Sequence, residues 1–346
     1  MHPGVNVPLG RGGLQVSRFG FGGAPIGGLF ESVDDEQALA SLTKAWDVGM
    51  RYFDTAPHYG AGTSERRTGS FLAGKPSAEW VLSTKVGRLI ETDDNPPSSK
   101  NDAGFVGEVG VRRVFDFSRD GIRRSFDASL QRLGVDHVAV LFLHDPDEHW
   151  QQAIDEAWPA LAGLRDEGAV RCVGAGMNQS AMLARFVRET DMDVVLLAGR
   201  YTLLDQQALD DLLPACLERR TSVVVGGVFN SGILASPDRN LTYDYGQAPR
   251  EVIERAKQIA DVCLQHDVAL PAAAIQFPLA HPAITTELIG ARSPHEVEQN
   301  ARYSQAPIPA QLWDDLRAQG LLRLDAPVPV PVPQPSPDQQ SVSRPS

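Results

Sequence analysis

Cysteine is scarce. The chain holds three, Cys172, Cys216 and Cys263, far apart and odd in number. That excludes a disulfide framework and any C-x-x-C redox or zinc pair, leaving three small apolar side chains for a core. Basic charge is also in short supply: 32 Lys and Arg face 44 Asp and Glu, a formal charge of −12. Neither a nucleic acid nor an anionic membrane is an expected partner. No apolar run reaches the roughly 18 residues that a membrane span takes. Met1 to Gly13 lacks the apolar centre of a signal peptide. The expectation is a soluble, cytoplasmic protein. A dinucleotide fingerprint is missing too, because Gly20-Phe-Gly22-Gly-Ala-Pro25 departs from G-x-G-x-x-G at its last position.

What is present is ordinary globular composition, 42% apolar and 22% charged over 346 residues. Short β-branched runs alternate with amphipathic stretches. The strand-type runs are Ser17–Phe21, Arg51–Asp54, Trp80–Lys85, Val138–His144, Arg171–Gly174, Val194–Ala198, Ser222–Gly226 and Glu287–Gly290. Helical patterns cover Asp34–Val48, Ser64–Leu72, Ser118–Leu133, Gln152–Asp166, Ser180–Glu189, Gln206–Glu218, Pro249–Gln265, Ser293–Tyr303 and Ala310–Gln319. Gly49, Gly74, Gly134 and Gly168 stand where helices stop, in positions suited to a left-handed residue. Strand–helix alternation at this count predicts an α/β fold; an open sheet would show the same alternation, but eight units in roughly 300 residues fit a (β/α)8 TIM barrel in one domain better than two doubly wound domains.

Two stretches break the rhythm. Glu91–Val114 carries Asn-Pro-Pro-Ser-Ser, several charges and no periodicity, so it reads as a long loop after the third strand. From Ala326 the chain runs Pro-Val-Pro-Val-Pro-Val-Pro and then Gln, Ser and Pro. That composition cannot bury enough apolar area to offset ordering, so a disordered or polyproline-like tail is expected. The domain reading is a barrel over 1–325 and a Pro-rich tail over 326–346.

Barrel enzymes place chemistry at the C-terminal ends of their strands. Three strand runs end in an ionisable group, Asp54, Lys85 and His144. On β periodicity Val81, Ser83 and Lys85 share a face, as do Val138, Val140, Phe142 and His144. Tyr59 lies five residues beyond Asp54, close enough to fold over the same mouth. A tyrosine titrates near 10, so acid–base work at neutral pH requires help. A Lys ammonium in contact would stabilise the phenolate, with Asp54 orienting that Lys. Two other readings compete: a structural ion-pair cluster, and metal ligands in His144-Asp-Pro-Asp-Glu-His149, though no second ligand cluster is evident and no metal is assigned. His58 reads as a wall residue or an exposed one.

Taken in order, Asp54-Thr-Ala-x-x-Tyr59-Gly60-x-x-x-Ser64-Glu65-x-x-x-Gly69, Ser83-Thr-Lys85-Val-Gly, Leu143-His144, Gly168-x-x-Arg171-x-x-Gly174 and Gly290-Ala-Arg292-Ser293-Pro…Asn300 resemble the aldo-keto reductase superfamily. The resemblance covers most of residues 7–305. It implies a barrel, a nicotinamide cofactor across the C-terminal mouth, and a catalytic set at Asp54, Tyr59, Lys85 and His144. Cofactor positions carried over by the resemblance are Gly23, Asp54, Asn178, Arg200, Gly226, Phe229, Asn230, Ser231, Gly232, Gly290, Arg292, Ser293, Glu296 and Asn300.

Departures from the family pattern cluster in the nicotinamide pocket. The usual Ser-Asn after Gly174 becomes Ala175-Gly176-Met177-Asn178, which puts Asn178 one step out of register. The usual Gln falls at Ala198. Gly226-Gly227 replaces the stacking aromatic, with Phe229 as a substitute cover. In NADP-preferring relatives a Lys and an Arg clamp the 2′-phosphate, and here those positions are Gly290 and Glu296. A carboxylate at that point favours a free 2′-hydroxyl, so NAD is the expected cofactor with NADP tolerated.

Phrases such as Gly-Phe-Gly-Gly-Ala-Pro (20–25), His-Asp-Pro-Asp (144–147) and Ala-Gly-Arg-Tyr-Thr-Leu-Leu-Asp (198–205) resemble the bacterial sugar dehydrogenase branch. The implied reaction is oxidation of a cyclic hemiacetal to a lactone, on an aldose such as L-fucose, D-arabinose or L-galactose. Pyridoxal is the alternative substrate. A more distant alternative is a redox-sensing nicotinamide-binding subunit, which the altered pocket and Pro-rich tail would suit and the complete Asp–Tyr–Lys–His set opposes. The sequence carries no signal of oligomeric state.

Overall fold

A computed structural model describes residues 2–93, 101–102, 104–106 and 110–330. Eight parallel strands close into a barrel: β1 (Phe19–Gly22), β2 (Tyr52–Asp54), β3 (Val81–Val86), β4 (Val140–His144), β5 (Cys172–Met177), β6 (Val194–Ala198), β7 (Ser222–Gly226) and β8 (Ile284–Gly290). Each pairs with its neighbours in sequence order, and β8 closes on β1 through Leu288↔Gly20 and Gly290↔Gly22. All eight strands fall on the runs expected from sequence, two of them to the residue and six with an end moved by one to three residues.

Alternation along the strands sorts the core into two layers. Tyr52, Val140, Phe142, Cys172, Val194, Leu196, Val224 and Leu288 fill the barrel interior. Phe53, Leu82, Leu141, Leu143, Val195, Leu197 and Ile289 face the other way, into the layer under the helices. Asp54, Lys85 and His144 continue the inward parity of Tyr52, Ser83 and Phe142, so all three end at the mouth. An antiparallel hairpin, Asn6–Leu9 with Leu14–Ser17, closes the opposite end with Leu9, Leu14 and Val16. Sequence reading passed over this hairpin, although its apolar alternation flanks a Gly-Arg-Gly-Gly turn.

The helices are α1 (Asp35–Asp47), α2 (Thr63–Leu72), α3 (Arg119–Leu133), α4 (Trp158–Asp166), α5 (Ser180–Glu189), α6 (Leu212–Arg219), α7 (Arg250–Gln265), α8 (Leu270–Gln276), α9 (Pro294–Tyr303) and α10 (Ala310–Ala318). Caps account for several starts: Asp34 accepts from the Gln37 amide, Ser118 from Gly121 and Ser293 from Glu296. The α2–α3 crossing needs Gly69, where a Cβ would lie 1.7 Å from the Leu133 carbonyl oxygen.

Four expectations need correction. The segment after β3 is not an aperiodic loop: Arg88–Thr92 and Val111–Phe115 form an antiparallel ribbon, paired from Arg88↔Phe115 to Thr92↔Val111. Its half-exposed, charged faces hide the alternation. α8 was absent from the sequence reading because its Ala-rich turns are buried and show no polar stripe. Gly74 is not left-handed, unlike Gly49, Gly134 and Gly168. The ordered body also runs past 325: Ala326 is buried, accepts a 2.6 Å hydrogen bond from Arg317, and Val328 packs on the core. The rest of the expected tail, 331–346, lies outside the described residues.

Candidate active site

Lys85 Nζ donates to Asp54 Oδ2 at 2.7 Å and to the Thr55 carbonyl at 3.0 Å. The second Asp54 oxygen accepts from the Ser83 hydroxyl, also at 2.7 Å. This pairing follows from register, since β2 and β3 place Asp54 opposite Ser83. Burial opposes the Lys85 charge, but Asp54 and Tyr59 outweigh it and hold the ammonium above its ordinary range.

Tyr59 reaches the same point from the turn after β2. Its neighbour Gly60 has φ +61°, and a Cβ there would lie 2.1 Å from the Gly27 carbonyl oxygen. The turn is thus seated on the β1–α1 loop in a form only glycine allows. The Tyr59 ring centroid stands 4.5 Å from Lys85 Nζ, close enough for that ammonium to act on the phenol. Burial raises the Tyr59 pKa, Lys85 lowers it, and the net shift is upward. The expected lowering by Lys85 is present but smaller than the cost of burial. Ser64 fastens this loop, donating to the Gly23 carbonyl and accepting from Thr55, both at 2.8 Å. Glu65 is buried between Thr84 and Arg132 and ties α2 to α3.

His144 meets Tyr59 edge to face, with ring centroids 5.8 Å apart. Burial, with the charges of Arg88 and Lys85, pushes its pKa well below the ordinary value. The imidazole is neutral at physiological pH. His58 is a buried wall residue rather than an exposed one, 5.7 Å from the His144 ring and pushed down to about 2 by burial and nearby cations. Asp54, Tyr59, Lys85 and His144 therefore meet in one place. The competing metal reading finds no support in geometry: among the described residues no three His, Cys, Asp or Glu side chains converge.

Around the rim, the other sequence candidates occupy two regions. Asn178 donates to the Ala198 carbonyl at 3.0 Å, between β5 and β6. Arg200 pairs with Asp244 at 2.8 Å, anchoring the loop before α7. Gly226 ends β7, and Asn230, Ser231 and Gly232 follow with φ of 47°, 60° and 102°. Asn230 donates to the Gly199 carbonyl at 3.0 Å, but its buried Oδ1 has no partner among the described residues. An acceptor of that kind fits a ligand carrying amide or hydroxyl donors. Phe229 packs on the layer under the helices and is only half-buried.

The second region lies at β8 and β1. Gly23 sits where a Cβ would strike Ser64 Oγ at 2.5 Å, and Gly290 where one would strike Pro25 Cγ at 2.6 Å. At both positions neighbouring segments of the chain pack where a side chain would stand. Ser293 caps α9, and Asn300 is buried on the same helix. Arg292 is flanked by two carboxylates, Glu31 at 3.0 Å and Glu296 at 3.7 Å. The Glu296 carboxylate also accepts from the Arg292 amide at 2.8 Å, completing the N-terminal cap. These two regions lie on either side of the strand ends that carry Asp54, Lys85 and His144 in the barrel order.

Phe105, Arg88 and Asp145 lie beside these groups; the sequence offered Asp145 only as part of a metal-ligand run and Phe105 only as part of a long loop, and did not single out Arg88. Phe105 stacks on the Tyr59 ring at 5.7 Å and 23°. It is held by a bridge to Leu29, by the Phe30 amide bonding the Gly104 carbonyl, and by the Val106 amide bonding Gly28. Arg88 pairs with Asp145, the residue after His144. No local pattern signals these contacts.

Comparison with known proteins agrees with this geometry. Residues 18–319 match the model of the Aldo/keto reductase family. The D-threo-aldose 1-dehydrogenase of a Pseudomonas species is 46% identical over 315 residues, covering 90% of this chain and 96% of its own. The pyridoxal 4-dehydrogenase of Microbacterium luteolum is 41% identical over 332 residues, covering 91% and 97%. Among solved structures, an aldo-keto reductase from Bacillus halodurans in its holo form superposes with a TM-score of 0.70 at 25% identity, covering 92% of this chain and 96% of that one. The chain belongs to the aldo/keto reductase family.

Proposed function

We propose that this enzyme oxidises the anomeric carbon of an aldose of the L-fucose, D-arabinose or L-galactose type to the lactone, with NAD preferred over NADP. The observation that carries the reading is the Asp54–Lys85–Tyr59 chain beside a neutral His144, since a phenolate at Tyr59, held against the Lys85 ammonium, can take one proton from the substrate hydroxyl and become the neutral phenol. The 46% identity to a D-threo-aldose 1-dehydrogenase supports the substrate class.

A bound nicotinamide supplies the hydride acceptor. The protein's part is proton handling and orientation. Tyr59, as phenolate beside the Lys85 ammonium, takes the proton of the anomeric hydroxyl. Asp54 keeps Lys85 charged and in place, and neutral His144 holds the reacting oxygen by a hydrogen bond. Asn178, Arg200, Gly226, Asn230, Ser231 and Gly232 line the nicotinamide and pyrophosphate side. Gly23, Gly290, Arg292, Ser293, Glu296 and Asn300 line the adenosine side, with Phe229 at the edge. Glu31 and Glu296 offset the Arg292 charge, which disfavours a 2′-phosphate and supports NAD. Three unpaired cysteines suit the cytoplasm.

Pyridoxal is the second reading, favoured by the 41% identity to a pyridoxal 4-dehydrogenase. It keeps every residue role, because the cyclic form of pyridoxal is also a hemiacetal. Following NADH formation with L-fucose, D-arabinose, D-glucose and pyridoxal, with NAD and then NADP, separates the two. Turnover of the threo-configured sugars above pyridoxal, and of NAD above NADP, is expected. Turnover of pyridoxal alone would move the substrate, and a tenfold lower KM for NADP would overturn the cofactor preference.

A further inference from the structure

Asp145 follows His144 directly and holds a left-handed backbone, φ 45°. Aspartate is among the non-glycine residues that adopt it at low cost, and here it turns the carboxylate back beside His144. Its amide is fixed to the Gly176 carbonyl at 3.0 Å, so the turn is anchored to β5. The carboxylate lies 3.7 Å from His144 Nε2 and takes an ion pair from Arg88. Arg88 comes from the ribbon above the barrel, with its guanidinium 4.6 Å over the Phe115 ring. Its Nε is buried and has no partner among the described residues.

These groups open onto a cavity of about 290 Å³ lined by Arg88, Phe115, Asp145, His149, Asn178 and Gln179. The cavity sits over β3 to β5, across the barrel from β8, where the adenosine side lies. Asn178 is part of its lining, so on the aldose reading a ligand there is a substrate lying beside the nicotinamide end, not the far end of the dinucleotide. Carboxylate and guanidinium together, over an aromatic face, can bind vicinal hydroxyls: the carboxylate accepts two, and the guanidinium donates to the next oxygen.

We infer that the Arg88–Asp145 pair reads the hydroxyls adjacent to the reacting carbon, Asp145 accepting from the C2 hydroxyl and Arg88 Nε donating to the next. This rests on the aldose reading of the same site and adds the specificity element to it. Oxygens on neighbouring sugar carbons are about one hydrogen-bond length apart. That suits an anomeric oxygen on His144 Nε2 and a C2 oxygen on Asp145, 3.7 Å away. A site built to bond a hydroxyl rejects the analogue lacking it, because its own polar groups are left unpaired.

The test is steady-state kinetics of the wild type, Asp145→Asn and Arg88→Gln with L-fucose and 2-deoxy-L-fucose, alongside NADH binding by fluorescence. The wild type is expected to prefer L-fucose by at least about a hundredfold in kcat/KM. In Asp145→Asn that preference falls to within about tenfold, chiefly through KM; Arg88→Gln, which removes the donor to the next oxygen, raises KM for both sugars; NADH affinity stays unchanged in both. If either variant lowers kcat equally for both sugars with the preference intact, the pair only positions His144 and the inference is overturned. Unchanged kinetics overturn it as well. If the wild type binds NADH yet turns over no aldose, the aldose reading fails and takes this assignment with it.

Discussion

Lys85 and Asp54 form an ion pair sealed from water, Nζ to Oδ2 at 2.7 Å with side chains 2% and 4% exposed. Removing one partner of such a pair leaves the other charge buried, at a typical cost of about 3–5 kcal/mol. Asp54→Ala is therefore expected to lower unfolding stability by about 3 kcal/mol and turnover by at least about a hundredfold. The double variant Asp54→Ala/Lys85→Met should regain much of the stability and none of the activity. Urea unfolding and steady-state kinetics on the wild type, Asp54→Ala, Lys85→Met and the double variant check this. Additive stability losses would mean the pair is not coupled as described.

The pH profile separates the two titrating rings. Burial keeps Tyr59 protonated at neutral pH against the pull of Lys85, while burial and neighbouring cations keep His144 neutral. For oxidation the base must be the phenolate. kcat/KM should then rise by about tenfold per pH unit through neutrality toward the tyrosine pKa. No acid limb should appear near 6.5 from His144. A profile that is flat from about pH 6 to 9 would contradict the base assignment.

Phe105 is expected to matter to substrate binding more than to folding. It caps the Tyr59 ring from a short segment held by backbone bonds to Gly28 and Phe30. Phe105→Ala opens the mouth beside the phenol. KM should rise by about tenfold or more with unfolding stability lowered by less than about 2 kcal/mol. A large stability loss with KM unchanged would make the ring a core element instead.

Glu287 offers a stability test remote from chemistry. It is fully buried on β8, neither carboxyl oxygen has a partner among the described residues, and burial raises its pKa well above the ordinary value despite Arg18. At low pH the carboxyl is protonated both folded and unfolded, and adds no pH-dependent cost. Above the unfolded pKa only the unfolded chain ionises freely, so stability falls as pH rises toward the folded pKa. Glu287→Gln should show no gain at about pH 4 and a gain growing at up to about 1.4 kcal/mol per unit above it. A gain independent of pH would show that the carboxyl is not held protonated.

How far the sequence reveals this molecule depends on the range of the forces involved. Val194–Ala198 and Ser222–Gly226 are legible to the residue because a strand buried on both faces is a continuous apolar run. Asp54, Lys85 and His144 are legible because an ionisable group ending an apolar strand has few other uses. The ribbon from Arg88 is not, since both its faces are partly wet and charges break the period. Phe105 and Asp145 owe their place to contacts with Leu29 and Arg88, 76 and 57 residues away in sequence. The second cap on Arg292 by Glu31 is hidden for the same reason.

The account stands most directly on Tyr59. The measurement is NADH formation from L-fucose and NAD by the wild type and Tyr59→Phe, with NADH binding to both followed by fluorescence. The account predicts steady turnover by the wild type, a loss of at least about a thousandfold in kcat for the variant, and equal NADH affinity. A variant that turns over L-fucose at a rate near wild type would contradict it.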